Sequence, residues 1–174
     1  MEGNVLELRL RPKVPMGFYQ AIPVVCSLGL ADAVPGASVA WPHGVVFASG
    51  EEAATLRASG GYDDQGMYAD VVAELAADIS AEAARAGITA RVDAWAAAIA
   101  AGRGAAGPLA PVLDDLFGHT WLMGGDVVVT YPNGRPIMRA TFCGLDVWGR
   151  ATVRDTSGRE VEFAPEQARI VAAQ

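Results

Sequence analysis

Ser38-Val39-Ala40-Trp41-Pro42-His43-Gly44-Val45-Val46-Phe47 sets a proline–glycine turn between two short apolar runs. Proline and glycine punctuate the chain, and β-branched runs suit strands, so Ser38 to Trp41 and Val45 to Phe47 read as short strands around Pro42-His43-Gly44. Upstream, Leu6-Glu7-Leu8-Arg9-Leu10 alternates apolar and charged residues with a period of two, the pattern of a half-buried strand. Arg11-Pro12 and Val14-Pro15 end it, because proline cannot donate to a ladder. A helix follows from about Phe18 to Ala33, where Pro23 is tolerable only near the first turn, and Val34-Pro35-Gly36 closes it.

Downstream of the turn, Ala53 to Gly60 and Met67 to Leu75 form a strand pair. The second run has the Ala, Glu and Leu of a helix, but Asp63-Asp64-Gln65-Gly66 is a good hairpin loop and favours strands. From Ser80 to Ala100, Ile88, Val92, Trp95 and Ile99 recur on one helical face; Ser80 is the N-cap, with Glu82 in the first turn. Gly102 to Pro108 reads as a linker or loop, and a short helix runs from Leu109 or Pro111 to Phe117. Beyond Gly125 the pattern is all β: Val127-Val128-Val129, Met138 to Gly144, Ala151 to Arg154 and Glu160 to Phe163, separated by Pro132-Asn133-Gly134, Trp148-Gly149 and Ser157-Gly158. Short strands in close succession over roughly fifty residues point to a small SH3-like β-barrel. The expected architecture is α+β: a mixed β-sheet with two main helices over residues 1–107, then a linker helix and the barrel over 108–174.

Composition narrows the function classes. With 174 residues, 52% of them hydrophobic, the chain can bury a core and is not a disordered tail. A net charge of −7 argues against nucleic acid as a partner, since phosphate binding needs a cationic field. No uncharged apolar stretch reaches about 18 residues, so no membrane span is expected. Met1-Glu2-Gly3-Asn4 lacks the basic start of a signal peptide, and Cys26 and Cys143 sit in apolar contexts, which together imply reduced thiols and a cytoplasmic location. The two histidines, His43 and His119, build no metal or triad constellation. Asp114 and Asp115 are adjacent and so diverge on a helix rather than forming an acid/base pair.

The run Ala40-Trp41-Pro42-His43-Gly44-Val45 resembles the Lys-Trp-Pro-Asn-Asp-Leu motif of biotin protein ligases. The order around it agrees with that family: Asn4-Val5-Leu6 opening a strand, an apolar helix, the Trp-Pro motif, a strand pair, and a helix carrying Trp95. Then comes a C-terminal β region, whose Phe142-Cys143-Gly144-Leu145-Asp146-Val147-Trp148-Gly149-Arg150-Ala151 resembles the family's Ala-x-Gly-Ile-Asp-x-x-Gly-x-Leu turn. The departures concern phosphate chemistry. The motif's lysine is Ala40, its Asn and Asp are His43 and Gly44, and no Gly-Arg-Gly-Arg loop stands upstream of Asn4. Arg57-Ala58-Ser59 and Asp70-Val71-Val72 replace small residues, Glu and Asn of the strand pair.

The resemblance therefore implies an N-terminally truncated, degenerate, bacterial-type biotin-protein-ligase-like protein without autonomous ligase activity. Its role would be binding or regulation toward biotin, a carrier domain or a ligase partner. One alternative is an active biotin- or lipoate-type ligase completed by a second chain, with biotin and ATP/Mg as its cofactors. Another is an SH3-like protein-interaction module unrelated to biotin. No catalytic or metal-ligating residue is assigned. Trp41, Pro42, His43 and Gly44 are candidate ligand contacts, as is Arg103, whose Gly102-Arg103-Gly104-Ala105-Ala106-Gly107 loop imitates phosphate-binding glycine spacing. Trp148 and Arg150 are candidate partner contacts, being residue types enriched at hot spots. A homodimer or protein partner is expected, because an uncovered sheet edge must be paired.

Overall fold

The computed structural model describes residues 4–174. The first sheet is built from β1 (Asn4–Leu10), β2 (Ser38–Ala40), β3 (Gly44–Val46), β4 (Glu52–Asp63) and β5 (Gly66–Leu75), in the order β1-β5-β4-β3-β2. Its pairings are antiparallel; the mixed character expected of it is confined to an isolated parallel bridge between Val39 and Thr120. The β4–β5 hairpin turns where the sequence predicts, with Asp63 opposite Gly66. The Asp63 carboxylate accepts from Gln65 N at 2.9 Å, an Asx contact that steers the turn locally.

Two helices, α1 (Ile22–Ala33) and α2 (Ala81–Ala100), cover one face of this sheet. The α1 segment starts later than its apolar pattern suggests. Met16–Ala21 forms a 3-10 turn, and Pro23 sits in the first turn of α1, where its missing N–H costs nothing. By length and hydropathy Met16–Ala33 matches a membrane span, contrary to the sequence expectation, but more than half of it is buried as core. The α2 helix starts at its predicted cap, with Ser80 Oγ accepting from Ala83 N at 3.3 Å. Strict alternation in β1 and β5 puts Leu6, Leu8, Leu10, Ala69, Val71, Ala73 and Leu75 under the helices and turns Glu7, Arg9, Asp70 and Glu74 to the open face.

The glycine-rich stretch 102–108 is not a loose linker. Arg103 N donates to Ala98 O, Gly104 is buried, and the indole of Trp95 donates to Pro108 O at 2.7 Å. That buried indole must find an acceptor, and a polar-looking turn supplies it. After α3 (Leu113–His119) come β6 (Asp126–Thr130), β7 (Pro136–Leu145), β8 (Ala151–Arg154), β9 (Glu160–Phe163) and β10 (Arg169–Ala172). They make a second antiparallel sheet in the order β10-β6-β7-β8-β9, whose outer strands β9 and β10 do not pair with each other. The structure is thus α+β, and the five-stranded second sheet stands where the SH3-like barrel is expected. One continuous core runs through both sheets, from Leu6 and Leu28 to Phe142 and Ile170.

Candidate functional site

The β2–β3 hairpin carries the Trp-Pro motif and lies where the two sheets meet. Trp41 follows β2 and is joined to Pro42 by a cis peptide bond. Its indole is only 5% exposed and donates to Gly149 O of the β7–β8 turn at 2.9 Å. A buried indole N–H needs a partner, and here that partner ties the first sheet to the second. The outer edge of β2 is closed by the segment after α3, where Trp121 N donates to Val39 O at 2.8 Å. That bond places the Trp121 ring beside Gly50, where an added Cβ would lie 3.1 Å from the ring.

Between these parts opens a cleft of about 310 Å³, lined among others by Trp41, His43, Glu52, Thr55, Trp121 and Arg169. Its floor is small, because Ala40 pairs with Gly44 across the hairpin. Burial pushes the His43 imidazole below its ordinary pKa, and the Arg169 guanidinium lowers it further against the opposing pull of backbone hydrogen bonds. A histidine whose folded pKa lies below its unfolded value contributes stability at neutral pH. That contribution is lost as pH falls below the unfolded value near 6.5, where the unfolded chain takes up the proton first. Melting temperature should therefore drop between pH 7 and pH 5 by more in the wild type than in His43→Asn; parallel profiles would refute the assignment.

The structure brings Trp41, Pro42, His43 and Gly44 together at this cleft, but not Arg103. That side chain lines a separate hollow of about 340 Å³ with Arg91, Trp95, Asp114 and Asp115. There Arg91 is already committed, bridging Asp32 on α1 and Asp115 on α3. Trp148 is 40% exposed and meets Phe18 edge to face, with ring centroids 6.1 Å apart. Arg150 is held by Asp146 at 2.8 Å, and the same carboxylate accepts from the backbone N–H groups of Trp148 and Arg150. His119 turns Nδ1 to Asp115 O at 2.8 Å. Among the described residues no group of three His, Cys, Asp or Glu side chains converges as a metal site.

Sequence reading missed Thr55, Glu52, Trp121 and Arg169 as cleft residues, since they come from distant segments that strand pairing and the Trp121–Val39 backbone bond bring together. It also missed the charge pattern of the open sheet face. Arg9 grips Asp70 through two bonds of 2.7 and 2.8 Å, and its guanidinium lies 3.9 Å from the Tyr68 ring centroid. Arg11 grips Asp63, and Arg57 meets Glu74 at 2.9 Å. The hydrogen bonds from Arg11 hold the Asp63 carboxyl down at about 2, and those from Arg9 lower Asp70. These cations are neutralised where they stand.

No protein-family model matches the sequence, and no curated protein matches it. Solved structures do. A crystal structure of biotin protein ligase from Aquifex aeolicus aligns with a TM-score of 0.65 at 14% identity, over 99% of this chain and 83% of that one. The apo structure of biotin protein ligase from that organism gives 0.67 at 14% identity over the same shares. A point mutant of it in complex with biotin gives 0.66 at 13% identity, over 99% of this chain and 79% of that one. Identity this low speaks for architecture alone: the chain has a biotin-protein-ligase-like fold.

Proposed function

We propose that this chain is a degenerate biotin-protein-ligase-like protein that performs no adenylation by itself and acts by binding, in a regulatory or docking role. The observation that carries the reading is the charge state of the open sheet face. Joining a carboxylate to ATP requires cations free to meet the charge developing at the α-phosphate. Arg9, Arg11 and Arg57 are instead paired with Asp70, Asp63 and Glu74, and position 40, a lysine in the resembling motif, is alanine. A triphosphate approaching this face meets carboxylates as well as guanidiniums.

The Trp41–Trp121 cleft is the place for a small ligand. About 310 Å³ falls within the size range of small-molecule pockets. Aromatic walls and Arg169 suit an apolar chain ending in a carboxylate. Biotin has that chemistry, and one solved structure of similar fold holds it. Its ligand is therefore the first to test, followed by a carrier domain or a ligase partner.

The experiment is calorimetric titration of the full chain with biotin, ATP and a biotinyl-adenylate analogue, run beside a carrier-biotinylation assay. Biotin binding that weakens at least about tenfold in Arg169→Ala, as a lost charge-assisted contact would, with no binding of ATP and no turnover, is the expected result. Turnover of a carrier domain by this chain alone would sink the proposal.

A further inference from the structure

Strand β4 carries a bulge where it meets β3. Val45 pairs with Ala54 and Val46 with Glu52, so Ala53 is one residue too many for the partner strand. Ala53 and Ala54 are both buried, and the alternation resumes out of phase beyond them. A regular β4 would turn Glu52 under the helices with Ala54. The bulge turns it instead to the side of Thr55, and the two line the Trp41–Trp121 cleft together. Gly50, close to Glu52 in the chain, packs on the Trp121 ring, so an aromatic face and a carboxylate share that wall. Arg169 comes from the other sheet, where it opens β10 opposite Thr130, and lines the same cleft.

Glu52 and Arg169 are both exposed, and neither forms an ion pair among the described residues, with the other or with a neighbour. The third titratable side chain of the cleft, His43, is held below its ordinary pKa by burial and adds no charge at neutral pH. One negative and one positive pole thus face one hollow, each mounted on the strand of a different sheet. We propose that the ligand of this cleft is a zwitterion, an amino acid with an aliphatic stem. Its carboxylate meets the Arg169 guanidinium, and its ammonium lies against the Glu52 carboxylate and the Trp121 ring. A guanidinium grips a carboxylate through two parallel hydrogen bonds. An ammonium is drawn both to an opposite charge and to the face of an indole. A ligand with a carboxylate alone satisfies Arg169 but is repelled by Glu52, and an amine alone meets the reverse. At about 310 Å³ the cleft is at the low end for small-molecule pockets, which suits a ligand of amino-acid size. The inference rests on the reading of this cleft as a small-ligand site with Arg169 as its carboxylate contact, and it adds the opposite pole.

The test is an NMR titration of the isotope-labelled full chain at neutral pH with hexanoate, hexylamine, norleucine and ε-aminocaproate, which share one six-carbon chain. The two amino acids are isomers, so they distinguish poles that lie together from poles that lie at the two ends of the stem. At least one of them should bind about tenfold or more tightly than hexanoate and hexylamine, as an added charge-assisted contact would produce. The Trp121 indole resonance should shift with that amino acid and not with hexanoate, a readout that needs no substitution. Glu52→Gln should bring the preferred amino acid down to the level of hexanoate, and Arg169→Ala should bring it down to the level of hexylamine. Hexanoate binding as tightly as both amino acids overturns the zwitterion and leaves the carboxylate reading of the cleft standing. An amino acid that binds Glu52→Gln at wild-type strength overturns it as well, because its ammonium then rests elsewhere. If none of the four binds, the zwitterion falls, and a parallel titration with biotin decides whether the carboxylate reading falls with it.

Discussion

Replacing Trp41 by alanine should cost about 3–5 kcal/mol, the range for truncating a large buried aromatic. That is a large share of the roughly 5–15 kcal/mol that holds a domain folded, and urea melts followed by far-UV circular dichroism would measure it. The expectation follows from the position of the indole rather than from its part in a motif. Trp41 is 5% exposed and belongs to the continuous core. It also donates across 108 positions of sequence to Gly149 O, joining the hairpin of the first sheet to a turn of the second. Trp41→Phe separates the two contributions. It keeps most of the buried surface but leaves the Gly149 carbonyl without its donor, for a loss of about 1–3 kcal/mol. If Trp41→Ala unfolds at the wild-type urea concentration, the indole is not the tie between the sheets. Ligand affinity measured on the same variants separates stability from binding: Trp41→Phe should keep the cleft open and still bind.

The two roles of this tryptophan show what a sequence can and cannot disclose. Period-two alternation in β1, the hairpin loop Asp63 to Gly66 and the spacing of Ile88, Val92 and Trp95 are local signals, and each element they predict is present. They work because burial on one face imposes a repeat that short-range geometry cannot hide. The strand β10 escapes that logic. Arg169–Ala172 has four residues, one of them buried, too few for a period to show. Which strands become neighbours is likewise a long-range fact. Nothing local to Arg9 or Asp70 tells that 61 positions separate two halves of an ion pair, or that the open face of the sheet is neutralised by such pairs.

The cleft was half legible for the same reason. Trp41, Pro42, His43 and Gly44 are contiguous and carry the resemblance, so they are found together. Trp121 and Arg169 arrive from segments whose placement depends on the Thr120–Val39 bridge and on β10 pairing with β6. The 102–107 loop misled in the opposite direction. Its glycines imitate a phosphate cradle, but they serve a chain reversal that leads to Pro108, whose carbonyl accepts from Trp95, and Arg103 lines a different hollow from the Trp-Pro hairpin. Glycine spacing alone does not distinguish a turn that must be tight from a turn that must bind.

Gly87→Val should destabilise by about 3 kcal/mol, at the upper end of overpacking costs, and Gly87→Ala should destabilise as well, against its helix propensity. Glycine inside a helix is worse than alanine by about 1 kcal/mol, so a solvent-facing Gly87 would make Gly87→Ala a gain. The packing reverses the sign. Helices α1 and α2 cross at Gly29 and Gly87, and a Cβ on Gly29 would lie 2.6 Å from Gly87 O and 2.9 Å from Ile88 Cα. A Cβ on Gly87 would in turn meet Gly29 O and come within 2.8 Å of Ala33 Cβ. Backbone atoms cannot swing aside as a side-chain tip can, so the whole helix must move. Moving it prises Ile88, Val92 and Trp95 off the sheet, all of them at most 2% exposed. Gly118 in α3 supplies the control, because its added Cβ meets nothing within 4 Å. There the alanine substitution should be neutral or stabilising by up to about 1 kcal/mol. Urea midpoints for the three variants decide the matter. Were Gly87→Ala and Gly118→Ala to shift in the same direction, the close crossing of α1 and α2 would not be what glycine is kept for.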